Sequence, residues 1–113
     1  MNLKLSHLEL FCRDPAATAR WWMDKLGATL VADQSPFQWI EIGGQEILLR
    51  PGDPKRAGSY RSADSALVFS ASALEEVGRQ LTSAGVIHGH GDGDECLTLH
   101  DPDGHWIQIA PEK

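Results

Sequence analysis

The chain matches itself once, at an offset of 58 residues, and few architectures tolerate such a repeat. Asp14-Pro15 opens an apolar-periodic segment that stops at Gly27. Ser72 opens a second that stops at Gly85. Both starts and both stops differ by 58. Asp14 is a capping residue, and Pro15 suits the first helical position, where a missing N–H costs nothing. Ser72 with Glu75 has the spacing of a capping box. Gly27 and Gly85 suit the left-handed residue that ends a helix. The expected apolar stripes, Ala16, Ala19, Met23, Leu26 and Leu74, Val77, Leu81, Ala84, are the same positions shifted by 58.

Extended segments repeat as well. His7-Leu8-Glu9-Leu10-Phe11-Cys12 precedes the first helix, and Ser65-Ala66-Leu67-Val68-Phe69-Ser70 precedes the second, with Phe11 and Phe69 coinciding under the shift. Three shorter strands are expected after each helix, near residues 29–33, 37–42 and 46–50, then 86–90, 96–100 and 105–110. Gly43-Gly44 and Asp101-Pro102-Asp103-Gly104 read as the turns of the last hairpin in each half. Each half is therefore β-α-β-β-β. One domain is expected over residues 1–113: module one about 1–50, a linker of Gly, Pro, Ser and charge about 51–64, and module two about 65–113. Neither half can bury its sheet face alone. The expected fold class is α+β, with two βαβββ modules forming a curved eight-stranded mixed sheet, helices on its convex side.

At 113 residues the chain suits one compact domain with a modest core. Its net charge of -6 and lack of any Lys/Arg run argue against nucleic acid as a partner. The opening residues lack the apolar stretch of a signal peptide, and no segment reaches the roughly 18 apolar residues of a membrane span. A cytoplasmic location without membrane association is the expectation. Cys12 and Cys96 read as free thiols in a reducing compartment, a single disulfide between them being the alternative.

The pattern His7-x-x-Leu10-x-x-x-Asp14, then Trp21-Trp22 and Leu26-Gly27, resembles the opening of vicinal oxygen chelate proteins: glyoxalases, bleomycin resistance proteins and extradiol dioxygenases. The close, Asp101-Pro102-Asp103-Gly104-His105-Trp106-Ile107-Gln108-Ile109, resembles that family's final hairpin. The resemblance implies a cleft on the concave sheet. In metal-dependent members it implies ligands from the first and last strand of each module. Those positions fall on His7, Arg50 (or, with a slip, Leu48 or Leu49), Ser65 and Gln108. Metal-binding relatives usually carry Glu at the last of these. One imidazole, one amide and a guanidinium make a poor site for a first-row metal. No metal or other cofactor is therefore expected; were a divalent metal bound, His7 and Gln108 would be its ligands.

Strand alternation assigns the expected faces. With His7 go Glu9 and Phe11; with Arg50 goes Leu48; with Ser65 go Leu67 and Phe69; with Gln108 go Trp106 and Ala110. The expected ligand-binding residues are His7, Phe11, Leu48, Arg50, Ser65, Phe69, Trp106 and Gln108, with Trp39 and Glu41 held loosely. Arg50 offers a fork to an anionic ligand, or else forms an ion pair with Glu9 or Glu41. His7 beside Glu9 makes a candidate acid/base pair, or His7 is an ordinary strand histidine. Ser65 and Gln108 suit passive lining. His88-Gly89-His90 with Asp92, Asp94 and Glu95 suggests a metal, but a solvated Gly-rich turn explains the run equally. Surface polarity suffices for His100 and His105.

Two functions compete. One is a metal-free binding protein for a small aromatic or anionic molecule, as in resistance relatives. The other is a lyase or isomerase of the glyoxalase I type, with or without metal. A regulatory module without chemistry is a third. The small core and the resemblance together favour a homodimer.

Overall fold

The computed structural model describes residues 1–90 and 95–112. The chain divides into two compact units, Met1–Pro54 and Lys55–Lys113. The first holds β1 (Leu8–Cys12), α1 (Pro15–Leu26), β2 (Thr29–Gln34), β3 (Phe37–Ile42) and β4 (Gln45–Pro51). Its sheet runs β1-β4-β3-β2, with β1 parallel to β4 and the other pairs antiparallel. α1 is the crossover that a parallel pair requires. Asp14 caps it by accepting from the Ala17 N–H at 3.2 Å, Pro15 sits in its first turn, and Gly27 ends it at φ 77°.

α1 buries Pro15, Thr18, Ala19 and Trp22 against the sheet, whose Ile40, Ile47 and Leu49 are fully buried. The expected stripe is thus corrected. Ala16 is exposed and Met23 only half-buried, because the helix turns to seat the indole of Trp22, the largest fully buried side chain.

The second unit holds β5 (Ala66–Ala71), α2 (Leu74–Ser83), β6 (Leu97–His100) and β7 (Trp106–Pro111), preceded by a 3₁₀ turn at Tyr60–Ser62. Its sheet runs β5-β7-β6, with β5 parallel to β7 and β6 antiparallel. Leu81 of α2 is buried, as are Leu99 of β6 and Ile107 of β7. The stripe Leu74, Val77, Leu81, Ala84 is the inward one, as expected. The capping box at Ser72 is not formed. The N-cap is Ala73, with no side-chain cap, and Glu75 and Glu76 in the first turn offer only charge to the helix dipole.

The expected eight-stranded sheet is corrected to seven strands in two sheets, four and three, among the described residues. The missing strand is that of residues 86–90. It contributes one bridge, Gly89 to Thr98, because glycine has no side chain to pack and gains little from a ladder.

The final hairpin turns on Asp101, whose side chain is fully buried. Its Oδ1 accepts from the N–H groups of Asp103 (3.0 Å) and His105 (2.9 Å), and its Oδ2 contacts His105 Nδ1 at 2.6 Å. His105 is therefore an anchor, where surface polarity was expected. No helix among the described residues is long and apolar enough to cross a membrane.

Two stability predictions follow from these burials. Trp22→Ala should cost about 3–5 kcal/mol in urea unfolding, whereas half-buried Trp21→Ala should cost less than about half of that. Asp101→Ala should cost about 2 kcal/mol or more, because it strands two backbone donors at once.

Candidate functional site

In the first unit the parallel pairing sets Glu9 opposite Leu48 and Phe11 opposite Arg50. The antiparallel pairing adds Trp39 opposite Leu48. Paired residues share a face, so His7, Glu9, Phe11, Trp39, Leu48 and Arg50 lie away from α1. Leu8, Leu10, Ile47 and Leu49 turn toward it.

Glu9 organises the polar part. Its Oε1 accepts from Arg50 Nη1 at 2.8 Å, and its Oε2 lies 3.1 Å from His7 Nε2. A carboxylate only accepts, so Nε2 carries the proton, and Nδ1, 2.9 Å from the Ser6 hydroxyl, is left to accept. The His7 ring meets Trp39 edge-on at 4.8 Å. The Arg50 guanidinium lies between two phenyl rings, 5.5 Å from Phe11 and 5.7 Å from Phe37. Arg50 Nε is buried without a hydrogen-bond partner. Phe11 is 47% exposed and gives the face an open apolar wall. The Arg50 ion pair is thus made with Glu9; Glu41 turns to the hairpin and accepts from the Gly44 N–H at 2.8 Å.

The second unit presents Trp106 and Gln108 on one face with Thr98 and His100 of β6 and Val68 of β5. Ser65 lies exposed just before β5, and Phe69 pairs with Ile109 on the α2 side. The fold therefore does not bring Ser65 and Phe69 together with Trp106 and Gln108. The cause is register. Fully buried Leu49 and Ile107 are 58 apart, as are Arg50 and Gln108, but Phe11 and Val68, their parallel neighbours, are 57 apart. A one-residue slip turns every side chain of a strand over.

A pocket of about 550 Å³ opens on that face, between the 3₁₀ turn at Tyr60 and residues 87–90. Trp106 forms its wall, with its Nε1 donating to the Ala57 carbonyl at 3.2 Å and its ring edge-on to His100 (5.1 Å) and Tyr60 (6.3 Å). Thr98 Oγ1 and Gln108 Oε1, on one rung of the ladder, are buried without partners. Gln108 Nε2 lies 3.5 Å from Cys96 Sγ. The sequence reading missed Tyr60, Thr98, His88, His90 and His100 as lining. The chain's one tyrosine, standing in a segment read as a linker, was the available signal.

Metal fit is poor within either unit. In the first, the Glu9 carboxylate is already neutralised by Arg50, and His7 turns its Nε2 to the same carboxylate. In the second, Gln108 offers a neutral amide. Among the described residues no three His, Cys, Asp or Glu side chains gather to hold an ion. Asp92 and Asp94 lie outside the described residues. His88 contacts Thr82 Oγ1 and His90 contacts the Cys96 carbonyl. Cys12, which is buried, and Cys96 are not joined by a disulfide.

Arg50, then His7, holds the Glu9 carboxyl below its ordinary 4.5. A depressed carboxyl stabilises the fold above its unfolded value and loses that contribution as pH falls through the folded value. The unfolding midpoint should therefore fall more steeply below pH 4.5 in the wild type than in Glu9→Gln, at low salt. High salt should narrow the difference, because the pair is exposed.

The sequence profile of the Glyoxalase/Bleomycin resistance protein/Dioxygenase superfamily matches residues 4–109. No curated protein gives a match. Among solved structures, the chain is similar to FosX, a genomically encoded fosfomycin resistance protein from Listeria monocytogenes complexed with Mn(II) and sulfate ion. The TM-score is 0.82 at 18% identity, over 100% of this chain and 93% of that one. FosX from Mesorhizobium loti gives 0.79 at 16% identity, covering 100% and 94%. A protein from the mobile metagenome of V. Pseudocholerae gives 0.75 at 25% identity, covering 100% and 98%. The profile spans nearly the whole sequence, and the chain belongs to the Glyoxalase/Bleomycin resistance protein/Dioxygenase superfamily.

Proposed function

We propose that the protein binds a small aromatic or anionic molecule, without the metal that many members of its superfamily use. The observation that carries this reading is Arg50, a guanidinium fixed by Glu9, flanked by Phe11 and Phe37, on a side chain 38% exposed. A flat molecule bearing a carboxylate or phosphonate suits it: the anion meets the fork, and the ring or chain meets Phe11, Leu48 and Trp39. A pair as exposed as Arg50 and Glu9 contributes little to stability, which leaves binding as the better reason for it. Likeness to FosX structures holding sulfate or a dihydroxypropylphosphonic acid supports an anionic ligand, although Mn(II) accompanies both there. Trp106 and Gln108 belong to the ligand face of the second unit in this reading, and a homodimer is the assembly that goes with it.

A second reading rests on the His7–Glu9 contact at 3.1 Å. A carboxylate that holds and accepts the imidazole proton makes His7 a proton-transfer group, as a lyase or isomerase of the glyoxalase I type requires.

Elemental analysis of purified protein, before and after incubation with zinc, nickel, manganese and iron(II), separates these readings. Substoichiometric metal throughout is the expected result; near-stoichiometric metal would replace metal-free binding with a metal-dependent enzyme. Benzoate should quench Trp39 fluorescence, and Arg50→Ala should weaken benzoate at least about tenfold while leaving benzamide nearly unchanged. Equal weakening of both would remove Arg50 as the anion contact.

A further inference from the structure

Gly52 stands next after β4, and its lack of a side chain asks for a reason. Glycine loses more conformational freedom on folding than any other residue, so it weakens an extended segment unless something requires it. Backbone strain does not require it here, because Gly52 does not take the positive φ of Gly27, Gly43 and Gly44. Its N–H donates to the Cys12 carbonyl at 3.0 Å, which carries the pairing of β1 with β4 one residue beyond Pro51.

The requirement is room. A Cβ at position 52 would lie 2.8 Å from both Cβ and Cδ1 of Phe11, and 3.1 Å from its Cγ. Carbon atoms that are not bonded pack at about 3.5–4.0 Å. Phe11 Cβ is fixed by the backbone of β1 and cannot swing aside, and Gly52 is held by its own hydrogen bond. The phenyl ring therefore rests on the Gly52 backbone. Phe11 is the parallel neighbour of Arg50, whose guanidinium lies 5.5 Å from the ring centroid, and Phe11 is still 47% exposed. An anion that reaches Arg50 thus brings whatever it carries against an exposed flat ring. A flat ligand ring can meet that ring offset-stacked or edge-on, whereas a puckered ring or a short chain gains only burial.

We infer that Gly52 is a positioning residue that selects aromatic over aliphatic carboxylates, by seating Phe11 beside Arg50. The inference rests on the anion reading proposed above. It narrows the ligand from aromatic or anionic to aromatic and anionic.

The test compares benzoate, cyclohexanecarboxylate and acetate on the full ¹⁵N-labelled chain, each followed by the saturable shift of the Trp39 indole N–H. All three carry one carboxylate, and the first two differ mainly in the flatness of the ring. Wild type should bind benzoate about three- to tenfold more tightly than cyclohexanecarboxylate. Gly52→Ala should reduce that preference to less than about twofold while leaving acetate unchanged. Phe11→Leu keeps apolar bulk without a flat ring and should lose the preference too; adding Gly52→Ala to it should change the preference no further. A preference retained in either single variant would overturn the inference. So would equal weakening of all three ligands in Gly52→Ala, which marks a structural fault. If Gly52→Ala fails to fold, Phe11→Gly should restore folding by removing the obstructing carbon, and absence of rescue would overturn the seat. Wild type that binds all three through Arg50 without preference overturns this inference and leaves the anion reading standing. Wild type that binds none overturns both.

Discussion

The parallel pairing of β1 with β4 is the interaction on which the first unit depends. It sets Phe11 beside Arg50 and Glu9 beside Leu48, and the two-residue period of a strand does the rest. On one face, Ile47 and Leu49 are driven under α1; on the other, the acid, the guanidinium and the imidazole are driven together. The packing that fixes the register is mainly apolar: Trp22, Ile40, Ile47 and Leu49 show no exposed surface. Slipping β1 by one residue would bury Glu9 against Trp22 and expose Leu8 and Leu10. The energy that holds the polar cluster in place thus comes from the opposite face of the sheet. The cluster can be nearly neutral in stability and still be precise in geometry.

That division explains why the polar groups of the two units differ. In the first unit, Glu9 is held by Arg50 and His7, and Arg50 Nε is buried without a hydrogen-bond partner. In the second, Asp101 saturates itself on the hairpin turn, while Thr98 and Gln108 on the neighbouring strands keep buried atoms without partners. A turn that must hold its shape closes its hydrogen bonds internally.

Much of the architecture was legible in the sequence because its signals are local. Asp14-Pro15 and Gly27 mark α1 by capping chemistry that needs no tertiary context. The turn after the strand at residues 37–42 read from the glycine pair itself, and Gly43 and Gly44 take the positive φ that only glycine adopts readily, whereas the strand's own alternation was ambiguous and left the faces of Trp39 and Glu41 open. The grouping of His7, Glu9, Phe11 and Arg50 followed from the superfamily resemblance, which placed His7 and Arg50, joined to alternation along each strand. What was not legible depends on registers that only packing decides. A constant offset of 58 hid a 57-residue relation between β1 and β5. It also hid a 59-residue relation between the helices, in which Pro15, Thr18, Ala19 and Trp22 answer to Leu74, Val77, Gly78 and Leu81. The elements that both halves possess repeat with one-residue adjustments at the connections, and the strand expected at residues 86–90 is reduced to one bridge. Ser65 and Phe69 were misplaced by that one residue, and the stripe of α1 by another.

The shortened sheet of the second unit follows from the same local rules applied to glycine. Gly85 at φ 78° ends α2, and Gly89 makes the single bridge that remains of the expected strand. A strand of ordinary residues there would extend the ladder with Thr98 and lay side chains across the face that Trp106 and Tyr60 now share. The loss of a strand costs the second unit hydrogen bonds and apolar contact. Among the described residues the outer edge of β6 carries only the Gly89 bridge, and Thr98 of that strand lines the pocket. Tyr60, Trp106, His90 and His100 line one pocket beside the stretch where glycine replaces the expected strand. Replacing Gly89 by valine would favour the extended backbone and so trade that pocket for pairing.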